Sequence, residues 1–142
     1  MMLLDVNVLV YAHRVDAPEH RRYYDWLDRV ANGDEAFGLS DLALSGALRV
    51  LTHPRVFSPP TPLVEVLKFI AALRSRPNRV AIEPGPRHWE IFTRLCREAD
   101  AKGNVVPDAY LAALAIESGS EWVTTDGDYA RFPGLRWRHP LN

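Results

Sequence analysis

Short apolar runs alternate with longer stretches whose apolar positions fall three and four residues apart, and this rhythm repeats from one end of the chain to the other. Residues 1–4 read as a strand, and "VNVLVYAHR" after Asp5 as a buried first helix. "APEHRRYYDWLDRVANG" predicts a helix with Pro18 early, Tyr24, Leu27 and Val30 on one face, and Gly33 beyond its end. A second strand, "AFGLS", leads into "SDLALSGALRVLTHP", where Ser40 is the cap and Leu44, Ala47, Leu48 and Leu51 keep helical spacing until Pro54. The proline-rich turn "FSPPTP" follows, and then a helix from Thr61 with Pro62 just inside it. "RVAIEPG" predicts a third strand ending at Pro84, and the next helix should turn Trp89, Phe92, Leu95 and Cys96 inward. "VVPDAYLAALAIESG" is apolar on nearly every side, with Pro107 at the first helical position and Gly119 at the end, as expected of a helix covered on both faces. The strand "EWVTT", the polar turn "DGDYARFPG" and a last strand "LRWRH" complete the chain.

Strands this short and apolar, alternating with helices, are those of an α/β sandwich with a largely parallel sheet. A length of 142 residues, with no repeat and no linker, predicts a single domain over 1–142. Composition changes this picture little: 47% apolar and 25% charged residues describe an ordinary globular protein, and no window reaches the roughly 18 uninterrupted apolar residues of a membrane span. With no basic, apolar and small-residue leader at the start, the expected location is the cytoplasm. The lone cysteine, Cys96, has no partner for a disulfide and reads as helix packing. A net charge of −1 announces no nucleic acid, although arginines cluster at Arg21–Arg22, Arg49–Arg55 and Arg74–Arg79, where either solvated helix faces or a phosphate-binding surface accounts for them.

The acids change it more. Asp5 interrupts an apolar run, and an unpaired buried carboxylate costs several kcal/mol, roughly. In an open parallel sheet ligands bind beyond the carboxyl ends of the strands, so Asp5, after the first strand, and Asp126 and Asp128, after "EWVTT", project from one edge if those strands are parallel. Asp108 lies in the first turn of the apolar helix. Each has a purely structural alternative: Asp108 complements a helix dipole, Asp126 makes a turn, and Asp5 caps a helix. Together, carboxylates on one edge repel unless a cation neutralises them, and a hard divalent ion such as magnesium does so while keeping water and substrate oxygens in its shell. Asn7 and Thr124 or Thr125 are placed to orient the acids, and the chemistry best served is hydrolysis of a phosphodiester.

The stretches "LLDVNVLVYA", "LRVLTHPRVF" and "PDAYLAALAIESGSEWVTTDGDYARFPGLRW" resemble a PIN-domain ribonuclease of the VapC type, the toxin of a toxin–antitoxin pair. That resemblance implies a three-layer α/β/α fold, a homodimer, RNA cleavage dependent on Mg2+ or Mn2+, and a cognate antitoxin that blocks the site. Carried over by position, it puts metal ligands at Asp5, Asp108 and Asp126, with Asp128 assisting in catalysis and Thr124 flanking the last acid. The family's usual glutamate in the third helical segment falls on Gly46, beside Ser45, and Asp41 lies one to two turns earlier. One metal is therefore expected rather than two. Arg49, His53 and Arg55 are candidate phosphate contacts, or simply cations at a helix end, whereas Tyr11, His13, Tyr24 and Trp26 read as core or dimer packing rather than base-stacking groups. Two rival functions remain: a catalytically impaired PIN-like module that sequesters an antitoxin or other partner, and a phosphoryl-accepting receiver domain, which lacks its usual acid pair and lysine here.

Overall fold

The computed structural model describes residues 1–142. In chain order the elements are β1 (Met2–Leu4), α1 (Val6–His13), α2 (His20–Ala31), β2 (Phe37–Leu39), α3 (Asp41–Leu51), α4 (Leu63–Arg74), β3 (Arg79–Ala81), α5 (His88–Glu98), α6 (Val105–Ser118), β4 (Glu121–Val123), a 3-10 turn (Gly127–Arg131) and β5 (Trp137–Arg138). All neighbouring strands pair in parallel in the order β3-β2-β1-β4-β5. A receiver domain of the flavodoxin type would have the order 2-1-3-4-5. That rival is removed by topology.

Successive strand residues face opposite sides, so Leu4 joins one apolar core and Leu3 the other. The first core gathers Leu4, Phe37, Leu39 and Val123 against side chains of α1 to α4, including Val8, Trp26, Leu44 and Val66. The second gathers Leu3, Ile82 and Trp122 against α5 and α6, with Tyr129 and Phe132 from the 3-10 turn and its exit. Helices therefore cover both faces of the sheet, giving the three-layer α/β/α sandwich. Helix α6 is buried from Ala109 through Ala115 except at Tyr110, and Gly119, at a φ of 68°, ends it in the left-handed conformation that glycine adopts without strain.

Several details differ from the pattern-based expectation. On α2 the buried stripe is Tyr23, Trp26, Leu27 and Ala31, which leaves Tyr24 exposed. On α5 the stripe runs through His88, Ile91, Phe92 and Leu95, and Trp89, one position off, is 69% exposed with its ring tilted against Phe92 at 5.4 Å between centroids. Periodicity finds such faces but a large aromatic next to the stripe is easily counted into it. The prolines stand slightly elsewhere too: Pro18 is in the turn before α2, Pro62 is the cap of α4, and Pro107 is the third residue of α6, where its missing N–H would have had no helical partner anyway. Strand β3 stops at Ala81, short of Pro84.

Candidate active site

The chain lays β2 and β3 on one side of β1 and then crosses to β4 on the other, so the order of strands reverses between β1 and β4. Crevices at such reversals are where open α/β sheets bind ligands. Leu4 pairs with Val123, and the Asp5 N–H donates to the Val123 carbonyl at 3.0 Å, so Asp5 and Thr124 leave the sheet side by side.

Asp5 is 5% exposed, and both of its oxygens are engaged. Oδ1 accepts from the Val6 N–H at 2.7 Å, capping α1; Oδ2 accepts from Thr124 Oγ1 at 2.6 Å and from Asn7 Nδ2 at 3.2 Å. The capping reading and the site reading of Asp5 thus describe the same residue. Thr124, fully buried, is the hub: its Oγ1 also accepts from Asn7 Nδ2 at 3.2 Å and from the Asp126 N–H at 3.0 Å. Asn7 Oδ1 in turn accepts from the Thr125 N–H at 3.1 Å. The loop after β4 is thereby tied to the start of α1.

Asp108, in the first turn of α6, accepts from the Tyr129 hydroxyl at 3.2 Å. Asp126 caps the 3-10 turn, accepting from the Asp128 N–H at 2.9 Å. Asp5, Asp108 and Asp126 all line one cleft of about 700 Å³, together with Asn7, Asn104 and Tyr129. Asp128 does not line it. Its carboxylate lies 3.4 Å from Arg131, on the outer side of the turn, 75% exposed.

Burial pushes the Asp5 carboxyl up to about 6, the Thr124 and Val6 hydrogen bonds oppose this, and the charges of Asp108 and Asp126 add to it. Asp108 is likewise raised, chiefly by burial and then by Asp126 and Asp128, against the Tyr129 bond and Arg131. The Tyr129 phenol is pushed far up by burial and by the same acids, so it stays a proton donor. Tyr129→Phe keeps the ring and deletes that donor. We expect the Asp108 carboxyl to rise further, readable by NMR titration, and the melting temperature to fall by up to about 10 °C, since a lost hydrogen bond to a carboxylate costs about 1.5–3 kcal/mol at most.

The remaining sequence candidates separate. Arg49, on the last turns of α3, lines the cleft, whereas His53 and Arg55 do not; the His53 ring accepts from the Arg55 N–H at 3.0 Å in the turn beyond. Gly46 faces the cleft from α3 at a point where a Cβ would stand 2.8 Å from Val6 Cγ2, so a small residue lets α3 approach α1. Ser45 is spent on its own helix, donating to Leu42 O at 3.1 Å. Asp41 does not stand in for a missing acid, because it lies outside the cleft, 3.8 Å from Arg74 and 3.7 Å from Arg79. Tyr11, taken as packing, both touches Tyr23 and lines the cleft. Two polar cleft residues were not among the sequence candidates: Asn104, one helical turn ahead of Asp108, and Tyr129, three residues after Asp126. Their spacing from a recognised acid was the available signal.

The pattern of the PIN domain matches residues 2–135. Over 142 residues, all of this chain and 97% of the relative, the sequence is 47% identical to ribonuclease VapC43 of Mycobacterium tuberculosis. It is 41% identical over 140 residues to ribonuclease VapC25 of the same species, covering 99% of each chain. Among solved structures, the fold is similar to that of FitAcB from Neisseria gonorrhoeae, with a TM-score of 0.71 at 20% identity over 100% of this chain and 99% of that one. A TM-score of 0.70 at 20% identity, over 97% of each chain, relates it to VapBC2 from Rickettsia felis, which was crystallised with a promoter DNA fragment. With the acids gathered at the β1/β4 reversal and near-half identity along the whole length, this chain belongs to the PIN-domain family, in its VapC branch.

Proposed function

We propose that the protein is a magnesium-dependent endoribonuclease and the toxin of a type II toxin–antitoxin system, held in check by a cognate antitoxin. The observation that carries this reading is the opening of Asp5, Asp108 and Asp126 into one cleft at the strand reversal. Relatives named ribonucleases, identical at up to 47% of positions, support RNA as the substrate. The VapBC complexes among the structural neighbours support an antitoxin as partner, and the exposed Leu63, Val64 and Leu67 on α4 offer apolar surface for protein contact, including the homodimer expected of this branch.

The donor set fits a hard cation. It is all oxygen, and burial, with a smaller part from the neighbouring carboxylates, raises the pKa of Asp5 and Asp108, a cost that a cation held between them would relieve. No three acid, histidine or cysteine side chains stand close enough to enclose an ion, so an ion here would take at most two carboxylates directly and complete its shell with water, a coordination that magnesium tolerates. Asp5 and Asp108 would hold it, with Asp126 reaching it through water. A bound Mg2+ or Mn2+ supplies charge that favours ionised water at neutral pH and offsets the charge developing on the phosphate. Thr124 and Asn7 fix the Asp5 carboxylate, Tyr129 fixes that of Asp108, and Asp126 orients the attacking water. Arg49 grips a phosphate oxygen of the strand.

Incubating the protein with RNA and Mg2+ should give cleavage that EDTA abolishes, and calorimetry should detect Mg2+ binding that Asp5→Asn loses. Cleavage surviving EDTA would refute the metal assignment. Gly46, with Asp41 turned away, favours the impaired binding module instead, and that second reading predicts neither Mg2+ binding nor cleavage. Arg49→Ala should raise KM about tenfold with kcat little changed, the loss of one charged phosphate contact worth about 1.4 kcal/mol, whereas Arg55→Ala should leave both constants within about twofold.

A further inference from the structure

Water carried by a metal attacks phosphorus in the same way whether the sugar is ribose or deoxyribose, because the 2′-hydroxyl takes no part in such a hydrolysis. Choice of RNA over DNA is then made by contact, and the group that marks RNA is that hydroxyl, which both donates and accepts. Most polar side chains of the cleft are already committed. Asp5 and Asn7 bond each other, Thr124 and the Thr125 N–H; Ser45 donates to Leu42 O and the Tyr129 hydroxyl to Asp108; the Arg49 guanidinium can only donate. Asn104, at the start of α6, is the exception. An asparagine there is ordinarily a cap, with extended backbone and a side chain that accepts from the second or third N–H of the helix. Asn104 has a helical backbone instead, at φ −67° and ψ −14°, and makes no capping bond. The local sequence leaves it none to make: the second residue, Val106, already donates to the Gly103 carbonyl at 3.1 Å, and the third, Pro107, has no N–H. Gly103, at a left-handed φ of 53°, turns the chain into this position. The exposed carboxamide of Asn104 is thus left facing the cleft four residues before Asp108, on the same helix face and about 6 Å along the axis.

We propose that the Asn104 carboxamide reads the ribose 2′-hydroxyl of a nucleotide beside the scissile phosphate, and so makes the enzyme prefer RNA to DNA. The inference rests on the ribonuclease reading above and adds to it a specificity-determining residue. A carboxamide matches both roles of the hydroxyl, its oxygen accepting and its nitrogen donating. Its place matches as well: a strand whose phosphate reaches Asp5 and Asp108 brings the adjoining sugar to the wall that carries Asp108, and Asn104 is the uncommitted polar side chain of that wall. Arg49 stands on another wall, on α3, so phosphate and sugar are met by different helices. Because the carboxamide is neutral, the contact depends on no metal and on no protonation step. Tyr11, whose phenol can also donate and accept, lies in the second turn of α1 and supplies the control.

The test uses an RNA oligonucleotide that the protein cuts at one mapped bond, and copies with a single 2′-deoxyribose on one or the other side of that bond. In the parent, one of the two replacements should lower kcat/KM about threefold to tenfold, the range of one neutral hydrogen bond, chiefly through KM. Asn104→Ala, at an exposed position with no internal bond to lose, should cut the all-ribose strand at the parent's deoxyribose rate and be indifferent to the replacement. Tyr11→Phe should discriminate as the parent does. In EDTA, where nothing is cut, fluorescence anisotropy should show the parent binding labelled RNA more tightly than DNA of the same sequence, a preference that Asn104→Ala loses. The assignment is overturned, with the ribonuclease reading intact, by a parent that cuts or binds ribose and deoxyribose strands alike, by an alanine variant that still discriminates, or by loss of discrimination in Tyr11→Phe instead. A parent protein that cuts no RNA at all refutes the ribonuclease reading itself, and the assignment with it.

Discussion

Asp5→Asn is expected to make the metal-free protein more stable while lowering RNA cleavage by at least a hundredfold. The sign follows from the carboxyl's position at about 6, above its unfolded value near 3.8. Between those values the native state binds the proton that the unfolded chain has released, so stability falls as pH rises through that window. Above about pH 6 the full penalty applies, on the order of 3 kcal/mol for a shift of about two units. Below about pH 4 it vanishes. Urea melts in EDTA should therefore show parent and variant alike near pH 4 and the variant ahead by about 2–3 kcal/mol near pH 7.5. Asparagine can keep the bond from the Val6 N–H through its oxygen, but its amide then faces the two donors that Oδ2 now accepts from, the Thr124 hydroxyl and Asn7 Nδ2, and the loss of those bonds brings the gain to the lower end of that range. Added Mg2+ should reverse the order, because an ion that binds only the native parent stabilises it by mass action. A variant less stable than the parent at pH 7.5 without metal would show that the Asp5 charge is not strained.

That opposition between stability and activity explains which parts of the molecule were legible in the sequence. The alternation of short apolar runs with helical spacing gave the layers and the parallel sheet, because burial on both faces leaves no other pattern. Asp5 and Asp126 could be placed at one edge from strand ends alone, and Asp108 was recognisable as an acid in the first turn of the apolar helix, to which the family resemblance added a role. What the pattern could not give was side-chain direction within a turn. Asp128 is two residues from Asp126 and chemically identical, yet the 3-10 turn sends it to Arg131 and solvent. Trp89 sits next to the α5 stripe, yet a rotation of one residue puts it in water. Arg49 and Arg55 share one quoted motif, but only the arginine still on α3 meets the cleft. Tyr129 was missed for the same reason, since its value lies in a hydroxyl aimed at Asp108 from the other side of the cleft.

Thr124→Val should disturb the site more broadly than loss of any single acid's charge, because one hydroxyl serves three partners. It donates to Asp5 and accepts from Asn7 and from the Asp126 N–H, all within a position that is 0% exposed. Valine fills nearly the same volume, so packing is preserved and the effect isolates the polar contacts. Removing the acceptor strands the Asp126 N–H, at a cost of about 1–3 kcal/mol, and frees the loop that carries Asp126. Losing the donor removes the strongest influence holding the Asp5 carboxyl down, so that group should titrate still higher. The expected result is a melting temperature lower by about 5–10 °C and a cleavage profile whose acidic limb moves toward alkaline pH. Thr124→Ser, which keeps the hydroxyl, should restore the pH profile while remaining somewhat less stable through the lost methyl. If valine and serine variants share the parent's pH profile, the Thr124 hydroxyl does not govern Asp5, and the coupling of β1 to the loop after β4 must run through Asn7 alone.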